Sequence, residues 1–287
     1  MSTRVHIEGR ICPPEEAKVS VFDRGFLYGD SVYETIGTMY GRLFALAEHL
    51  TRLERSAERI GLRVPPRPAI ERAVVDTVRA AENVESRVRI VLTRGAGQLD
   101  LDPASVDDTQ LIVIVTPLQP PSPAMYEAGV SVAIVSVLRN SPRAMDPAIK
   151  SGNYLNSVLA LGEARRLGAY EALLCAGDGT VAEGASSNVF VVKQARVLTP
   201  ALEVDILDGI TRAQVIALCR VNAIPLRETR LPPEDLRAAD EVFITSATRV
   251  VLSVTRVDGA PIGDGRPGPV TRRLMQLFDE LAREGVP

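Results

Sequence analysis

The stretch Asp146-Pro147-Ala148-Ile149-Lys150-Ser151-Gly152-Asn153-Tyr154-Leu155 sets one lysine between a proline-containing loop and the start of an amphipathic helix. Its weight comes from scarcity. Of the 33 lysines and arginines in the chain, three are lysine: Lys18, Lys150 and Lys193. A chain that uses arginine for nearly every surface charge has few reasons to keep a lysine. Lysine, unlike arginine, deprotonates to a nucleophilic amine. Lys18 lies in a charged segment and Lys193 follows a strand at a turn, so both read as solvated. Lys150 has apolar neighbours, which depress the pKa of an amine and suit it to Schiff-base formation with an aldehyde. A solvated surface lysine is the competing reading of the same residues.

If Lys150 is an aldimine lysine whose aldehyde belongs to a phosphorylated pyridine, the site must also hold a phosphate and a pyridine nitrogen. Leu207-Asp208-Gly209-Ile210-Thr211-Arg212 offers a phosphate seat, a glycine loop running into a helix start with free backbone N–H groups and the positive end of the helix dipole. Helix capping alone accounts for the same pattern. Glu183, in Val181-Ala182-Glu183-Gly184-Ala185-Ser186-Ser187-Asn188, leaves a strand into a small-residue loop. It could keep a pyridine nitrogen protonated and the ring an electron sink, or be a plain turn carboxylate.

Around these motifs the chain alternates strands and helices. Strands are expected at Val19–Phe22, Val32–Ile36, Arg87–Thr93, Leu111–Thr116, Val130–Leu138, Glu171–Ala176, Asn188–Lys193, Glu241–Thr245 and Val251–Val257. A hairpin should turn at Tyr40-Gly41. Helices are expected at Glu48–Ile60, Pro68–Asn83, Asn153–Leu167, Thr211–Val221 and Val270–Arg283. Leu50, Leu53, Ala57 and Ile60 fall on one face of the first, and Gly168 follows the third. The densest proline cluster, Pro117-Leu118-Gln119-Pro120-Pro121-Ser122-Pro123, reads as an interdomain linker.

Composition removes whole classes. The 287 residues are about two domains long, and 46% hydrophobic with 24% charged residues describes an ordinary globular protein. A net charge of -3 and 4% aromatics give no basic footprint or stacking platform for nucleic acid. No apolar run spans a bilayer and the first ten residues lack the apolar core of a secretion signal, so no membrane partner is expected. Cys12, Cys175 and Cys219 with His6 and His49 make neither a disulfide framework nor a metal set, which points to the cytoplasm and to no metal.

Seven blocks in order carry a resemblance to the fold-type IV pyridoxal-phosphate enzymes: branched-chain aminotransferases, D-amino-acid aminotransferases and aminodeoxychorismate lyases. They are FDRGFLYGDSVYET (22–35), EHLTRLERSA (48–57), TRGAGQLDLDP (93–103), IKSGNYLNSVLA (149–160), VAEGASSNVFVV (181–192), LTP with ILDGITR (198–200, 206–212), and EVFITSAT through VDGAPIGDGRPGP (241–248, 257–269). The resemblance implies pyridoxal 5'-phosphate as cofactor, with Lys150 forming the internal aldimine and shuttling a proton between the substrate Cα and the cofactor. It implies that Glu183 pairs with the pyridine nitrogen, Arg52 and the Ile210 and Thr211 N–H groups bind the phosphate, and Tyr154 meets the 3′-oxygen. His49 would be structural. Ser187 and Asn188, with Ser186, would pin the Glu183 loop. Where relatives carry a phosphate-binding threonine, this chain reads Ser246-Ala247-Thr248, so Ser246 or Thr248 has to stand in for Ala247.

Tyr33, Arg89 and Arg249 are the expected substrate contacts, arginine suiting bidentate pairing with a carboxylate. The loop Gly95–Pro103 resembles the branched-chain enzymes, and Leu99 stands where the usual D-specific enzymes and the lyases carry arginine. Thr35 is typical of the lyases, and Tyr33-Glu34 is shared with the D-specific enzymes. The implied activity is ping-pong transamination from a branched-chain or small aliphatic L- or D-amino acid to a 2-oxo acid. The alternative is aminodeoxychorismate lyase, eliminating pyruvate. The implied fold is α+β: a smaller N-terminal α/β sandwich (1–116), a linker (117–125) and a larger barrel-like C-terminal α/β domain (126–287). The cofactor would lie in the cleft between the domains, and the enzyme would be a homodimer.

Overall fold

A computed structural model describes residues 2–285; Met1, Val286 and Pro287, at the ends of the expected domains, lie outside the described residues. The chain divides into two compact units. The first holds residues 2–119, 149–153 and Gly285, and the second holds Pro120–Ala148 and Tyr154–Glu284. The five residues around Lys150 therefore pack with the first unit although the sequence on both sides of them belongs to the second.

The first unit runs β1 (Arg4–Ile7), β2 (Arg10–Cys12), α1 (Arg24–Tyr28), β3 (Ser31–Met39), β4 (Arg42–Leu43), α2 (Leu46–Arg59), α3 (Arg67–Ala81), β5 (Ser86–Thr93) and β6 (Gln110–Pro117). Its sheet is antiparallel throughout, in the order β2-β1-β6-β5-β3-β4. The β3–β4 hairpin turns on Tyr40 and Gly41, both at positive φ (53° and 71°), as a two-residue hairpin turn of matching twist requires. One sheet face buries Val32, Ile36, Val88, Ile90 and Leu92 against Leu50, Leu53 and Ala57 of α2 and Ile70 and Val74 of α3. Each such fully buried aliphatic side chain contributes about 1.5–3 kcal/mol.

The second unit runs α4 (Pro123–Ala128), β7 (Val130–Ile134), α5 (Leu155–Arg166), β8 (Glu171–Cys175), β9 (Val181–Gly184), β10 (Asn188–Lys193), β11 (Arg196–Pro200), α6 (Ile210–Val221), β12 (Leu226–Thr229), α7 (Pro233–Arg237), β13 (Glu241–Ser246), β14 (Val250–Val257), β15 (Ala260–Pro261) and α8 (Pro269–Glu284). The sheet follows the order β12-β11-β10-β13-β14-β7-β8-β9, with β15 on β14. It is mixed: β11–β12, β14–β7 and β7–β8 are parallel. It curls into a half-barrel, so that Val132, Leu173, Val181, Val189, Val191, Ile244 and Leu252 share one buried cluster. On its other face Phe190 and Phe243 stack at 4.7 Å between ring centres, among the buried Val215, Ile216 and Phe278 of α6 and α8. The Glu241 carboxylate accepts from the N–H groups of Val270 (3.0 Å) and Thr271 (2.8 Å) and so caps α8. The chain is α+β, as expected.

Three expectations are corrected. Val19–Phe22 is not a strand: it alternates like one, but no sheet edge takes it, and Val19, Val21 and Phe22 are exposed. The strand from Val130 stops at Ile134 because the Glu163 carboxylate takes the Ser136 N–H (2.7 Å) and hydroxyl (2.8 Å) and draws the chain off the ladder. The helix after Lys150 is not amphipathic toward a core: α5 buries Ala160 and Ala164 and exposes Leu155, Val158 and Leu159. Among the described residues no helix is long and apolar enough to cross a membrane.

Candidate active site

In the first unit the Lys150 segment is stitched along the start of β3. The Tyr33 N–H donates to the Lys150 carbonyl (2.9 Å), Ser151 bridges to Val32, and the Gly152 N–H donates to the Ser31 carbonyl (2.8 Å). The Lys150 N–H donates to Ser56 Oγ on α2 (3.2 Å), and Asn153 Nδ2 to the Gly29 carbonyl (3.0 Å). A Cβ on Gly152 would run into the Ser31 hydroxyl, so a larger residue there would have to displace the Ser31 side chain. The result is a lysine whose backbone is fixed and whose Nζ lies 4.5 Å from the centre of the buried Tyr33 ring. The Arg89 guanidinium lies 3.8 Å from the same ring, so Tyr33, Arg89 and Lys150 come together. Both contacts have cation–π geometry.

On the opposite face of β3, Glu34 falls between Val32 and Ile36 in the core-facing register, a carboxylate with no exposure. Two residues one helical turn apart on α2 meet it. Arg52 donates through Nε to Oε1 (2.7 Å) and through Nη2 to Oε2 (2.8 Å), and His49 Nδ1 lies 2.7 Å from Oε2. Burial alone would push the Glu34 carboxyl up. The Arg52 charge and hydrogen bond, with the His49 bond, outweigh it and hold it at about 2. Arg52 is thus a buried, oriented cation.

In the second unit Glu183 is the next-to-last residue of β9 and Asn188 opens β10. Asn188 Nδ2 donates to Glu183 Oε2 (3.2 Å) and to the Leu207 carbonyl (3.1 Å), and the Leu207 N–H also donates to Oε2 (3.2 Å). Arg139 Nη2 pairs with Glu183 Oε1 at 2.8 Å. Gly209 precedes α6 without a side-chain cap, leaving the Ile210 and Thr211 end of the helix open. A Cβ on Gly209 would collide with the Asn188 amide oxygen.

Glu171, buried on β8, gathers the remaining expected residues. Its Oε2 accepts from Ser186 Oγ (2.8 Å), Ser187 Oγ (3.4 Å) and Arg249 Nη1 (2.7 Å). Arg249 also donates through Nη2 to the Ser186 carbonyl (2.8 Å) and through Nε to Ser246 Oγ (3.0 Å). Ala247 and Thr248 are half-buried in the loop between β13 and β14, and Tyr154 sits half-buried just before α5. Among the described residues no group of three or more histidines, cysteines or carboxylates could hold a metal ion.

Sequence reasoning missed Glu34, Ser56, Arg139 and Glu171. Glu34 had a signal, a carboxylate in a core-facing strand position with a histidine and an arginine three apart on the next helix. Arg139 had none, being one of many arginines in this chain.

The residues present fit a phosphorylated pyridine. The second unit has an uncapped helix start behind a glycine whose Cβ would collide with Asn188, and a carboxylate ringed by donors; the first unit, taken by itself, has a buried oriented arginine. Comparison with known proteins gives the same direction. The family model of amino-transferase class IV matches residues 31–257. A Methanocaldococcus jannaschii protein that carries the provisional name branched-chain-amino-acid aminotransferase is 37% identical over 279 residues, covering 97% of this chain and 96% of its own. The D-alanine aminotransferase of Bacillus licheniformis is 35% identical over 272 residues, 94% of each chain. The crystal structure of the T.th. branched-chain amino acid aminotransferase complexed with N-(5'-phosphopyridoxyl)-L-glutamate matches with a TM-score of 0.93 at 31% identity, covering 100% of this chain and 96% of its own. The chain belongs to the class IV aminotransferases. These relatives transfer amino groups, which does not favour the lyase alternative.

Proposed function

We propose that this class IV aminotransferase binds pyridoxal 5'-phosphate and moves the amino group of a branched-chain or small aliphatic amino acid to a 2-oxo acid, in two half-reactions of a ping-pong cycle. The observation that carries the reading is Lys150, one of three lysines, its backbone locked to β3 and α2 and its amine held over Tyr33.

When bound, the cofactor supplies an electron sink that acidifies the substrate Cα. Lys150 Nζ would hold the cofactor at rest, be released when the substrate amine takes its place, and then, as the free amine, carry the proton from the substrate Cα to the cofactor carbon. Arg52, oriented by Glu34, binds the phosphate together with the Ile210 and Thr211 N–H groups at the positive end of α6. Glu183 accepts the pyridine N–H, with Asn188 and Ser187 fixing its loop, and Tyr154 meets the 3′-oxygen. Ser246 takes the phosphate contact that Ala247 lacks. Its oxygen accepts from both the backbone N–H (3.3 Å) and Nε of Arg249, which leaves its own proton to donate, with Thr248 beside it. Tyr33 and Arg89 meet the substrate. Arg249 serves that side by holding the Ser186 and Ser246 loops.

The reading includes a cytoplasmic homodimer. Cys12, Cys175 and Cys219 are buried free thiols, suited to a reducing compartment. Apolar surface is exposed on α5, with Leu155 at 70%, and in the first unit, with Phe26 at 70% and Leu101 at 76%. Such patches mark contact surfaces, and a second copy is the usual occupant. Light scattering should give twice the chain mass, and L155R with L159R should return the monomer.

The deciding experiment is the absorption spectrum after incubation with pyridoxal 5'-phosphate, before and after L-leucine and D-alanine in separate cuvettes. The wild type should show a visible band that Lys150→Ala lacks. The amino acid that bleaches it identifies the donor and its hand. A protein that stays colourless overturns the reading. A band that survives both donors, with pyruvate released from aminodeoxychorismate, would make the enzyme a lyase.

A further inference from the structure

We infer that Arg139, which lies in none of the family blocks, is a positioning residue for Glu183: it holds that carboxylate as the anion, so that a proton shared with a pyridine nitrogen stays on the nitrogen. The inference rests on the cofactor reading above.

Arg139 is fixed at both ends. Its backbone N–H donates to the Cys175 carbonyl at the end of β8 (2.8 Å). Its Nη2 serves two acceptors, Glu183 Oε1 at 2.8 Å and the carbonyl of Pro147 at 3.3 Å. Nε is buried and has no hydrogen-bond partner among the described residues. A guanidinium placed for stability alone would present its fork to the carboxylate, as Arg52 does to Glu34. Arg139 instead leaves one donor idle and sets a single nitrogen against both Glu183 and the loop that ends, three residues later in sequence, at Lys150.

The charge matters because the other oxygen of Glu183 takes neutral donors, the Asn188 amide and the Leu207 N–H. Burial disfavours the charged form of a carboxylate and a neighbouring guanidinium favours it, so a buried carboxylate that loses such a cation gains proton affinity. It would then compete with a pyridine nitrogen for the shared proton. A guanidinium at 2.8 Å lowers that affinity and tips the proton to the ring. A protonated ring draws electrons from the nitrogen that Lys150 contributes, and lowers the pH at which that nitrogen loses its own proton. Removing Arg139 should therefore raise the pH at which the visible band converts.

Arg139→Gln and Arg139→Met, either of which suffices if the other does not fold, are reconstituted with pyridoxal 5'-phosphate and compared with wild type and Arg139→Lys. The neutral variants should convert their visible band about one pH unit higher, and release the cofactor on dialysis roughly tenfold faster, a loss the size of one charge-assisted hydrogen bond. Arg139→Lys, which restores the charge, should return the band toward wild type. In a Glu183→Gln background, which cannot take the proton, Arg139→Gln should not move the band further. Neutral variants that titrate and hold cofactor like wild type, or that shift the band equally with and without Glu183, would overturn the inference. A wild type that never takes colour would instead remove the cofactor reading beneath it.

Discussion

The two units each bury a carboxylate among cations and solve the problem differently. Glu34 in the first unit is sealed between Arg52 and His49 with no exposure, every contact aimed inward from one helix. Glu171 in the second unit is almost as buried, but its partners are two serine hydroxyls and Arg249, which is itself shared with the Ser186 and Ser246 loops. The first arrangement fixes one cation in a rigid core. The second ties two separate loops, 186–187 and 246–249, to one anion on β8.

The largest break in this comparison comes from removing the sealed carboxylate. Glu34→Ala leaves the Arg52 guanidinium buried without its counter-charge, which costs about 3–5 kcal/mol, read as a lower urea midpoint. A loss below about 1 kcal/mol would mean that water reaches the cluster and that the two sites are alike. The pH dependence has a definite sign. The folded carboxyl is held at about 2, below its ordinary 4.5, so its stabilising contribution is complete above pH 4.5 and is lost as the pH falls toward 2. Glu34→Gln should lose that part of the acid sensitivity between pH 4.5 and 2, measured by unfolding midpoints across that window.

Glu171→Gln should cost less, about 1–3 kcal/mol. Arg249 keeps Ser186 and Ser246, and the serine hydroxyls can turn to the new amide. The telling readout is local. Hydrogen exchange should quicken in the 184–188 and 246–249 loops while the first unit is unchanged. Faster exchange spread over both units would show that Glu171 supports the whole fold and not its loops.

How much of this could be read from sequence depended on where the physical signal lay. Lys150 stands out because the chain uses lysine so rarely, and α2 is legible because Leu50, Leu53 and Ala57 repeat at helical spacing against a sheet. Glu34 is harder to read, because an apolar strand pattern gives no weight to a carboxylate in the core register. Arg139 could not be found at all, since arginine is the default cation here and only three dimensions bring it to Glu183. β12 was missed for another reason: Leu226-Arg227-Glu228-Thr229 is an edge strand, largely exposed, with no apolar alternation to betray it. The outward face of α5 was misread because apolar spacing on a helix cannot say which partner it is meant for.

The smallest effects belong to ion pairs that lie in water, and they bound the comparison from below. Glu54 and Arg67 join two helices of the first unit by a forked pair, Nε to Oε1 at 2.9 Å and Nη2 to Oε2 at 2.6 Å. The Arg67 hydrogen bond holds the Glu54 carboxyl below its usual range. Arg63 and Asp107 touch end-on at 3.4 Å, and both side chains are about three-quarters exposed (74% and 73%). The forked geometry of the first pair resembles Arg52 on Glu34, so if geometry decided the energy, Glu54→Gln would approach the Glu34 loss. Solvent decides it instead: water screens both pairs and rehydrates whatever is left behind. Glu54→Gln should therefore cost no more than about 1 kcal/mol and Asp107→Asn close to nothing, both measured as urea midpoints at low and high salt. If Glu54→Gln cost as much as Glu34→Ala, the fork and not the burial would be what makes the Glu34 cluster strong.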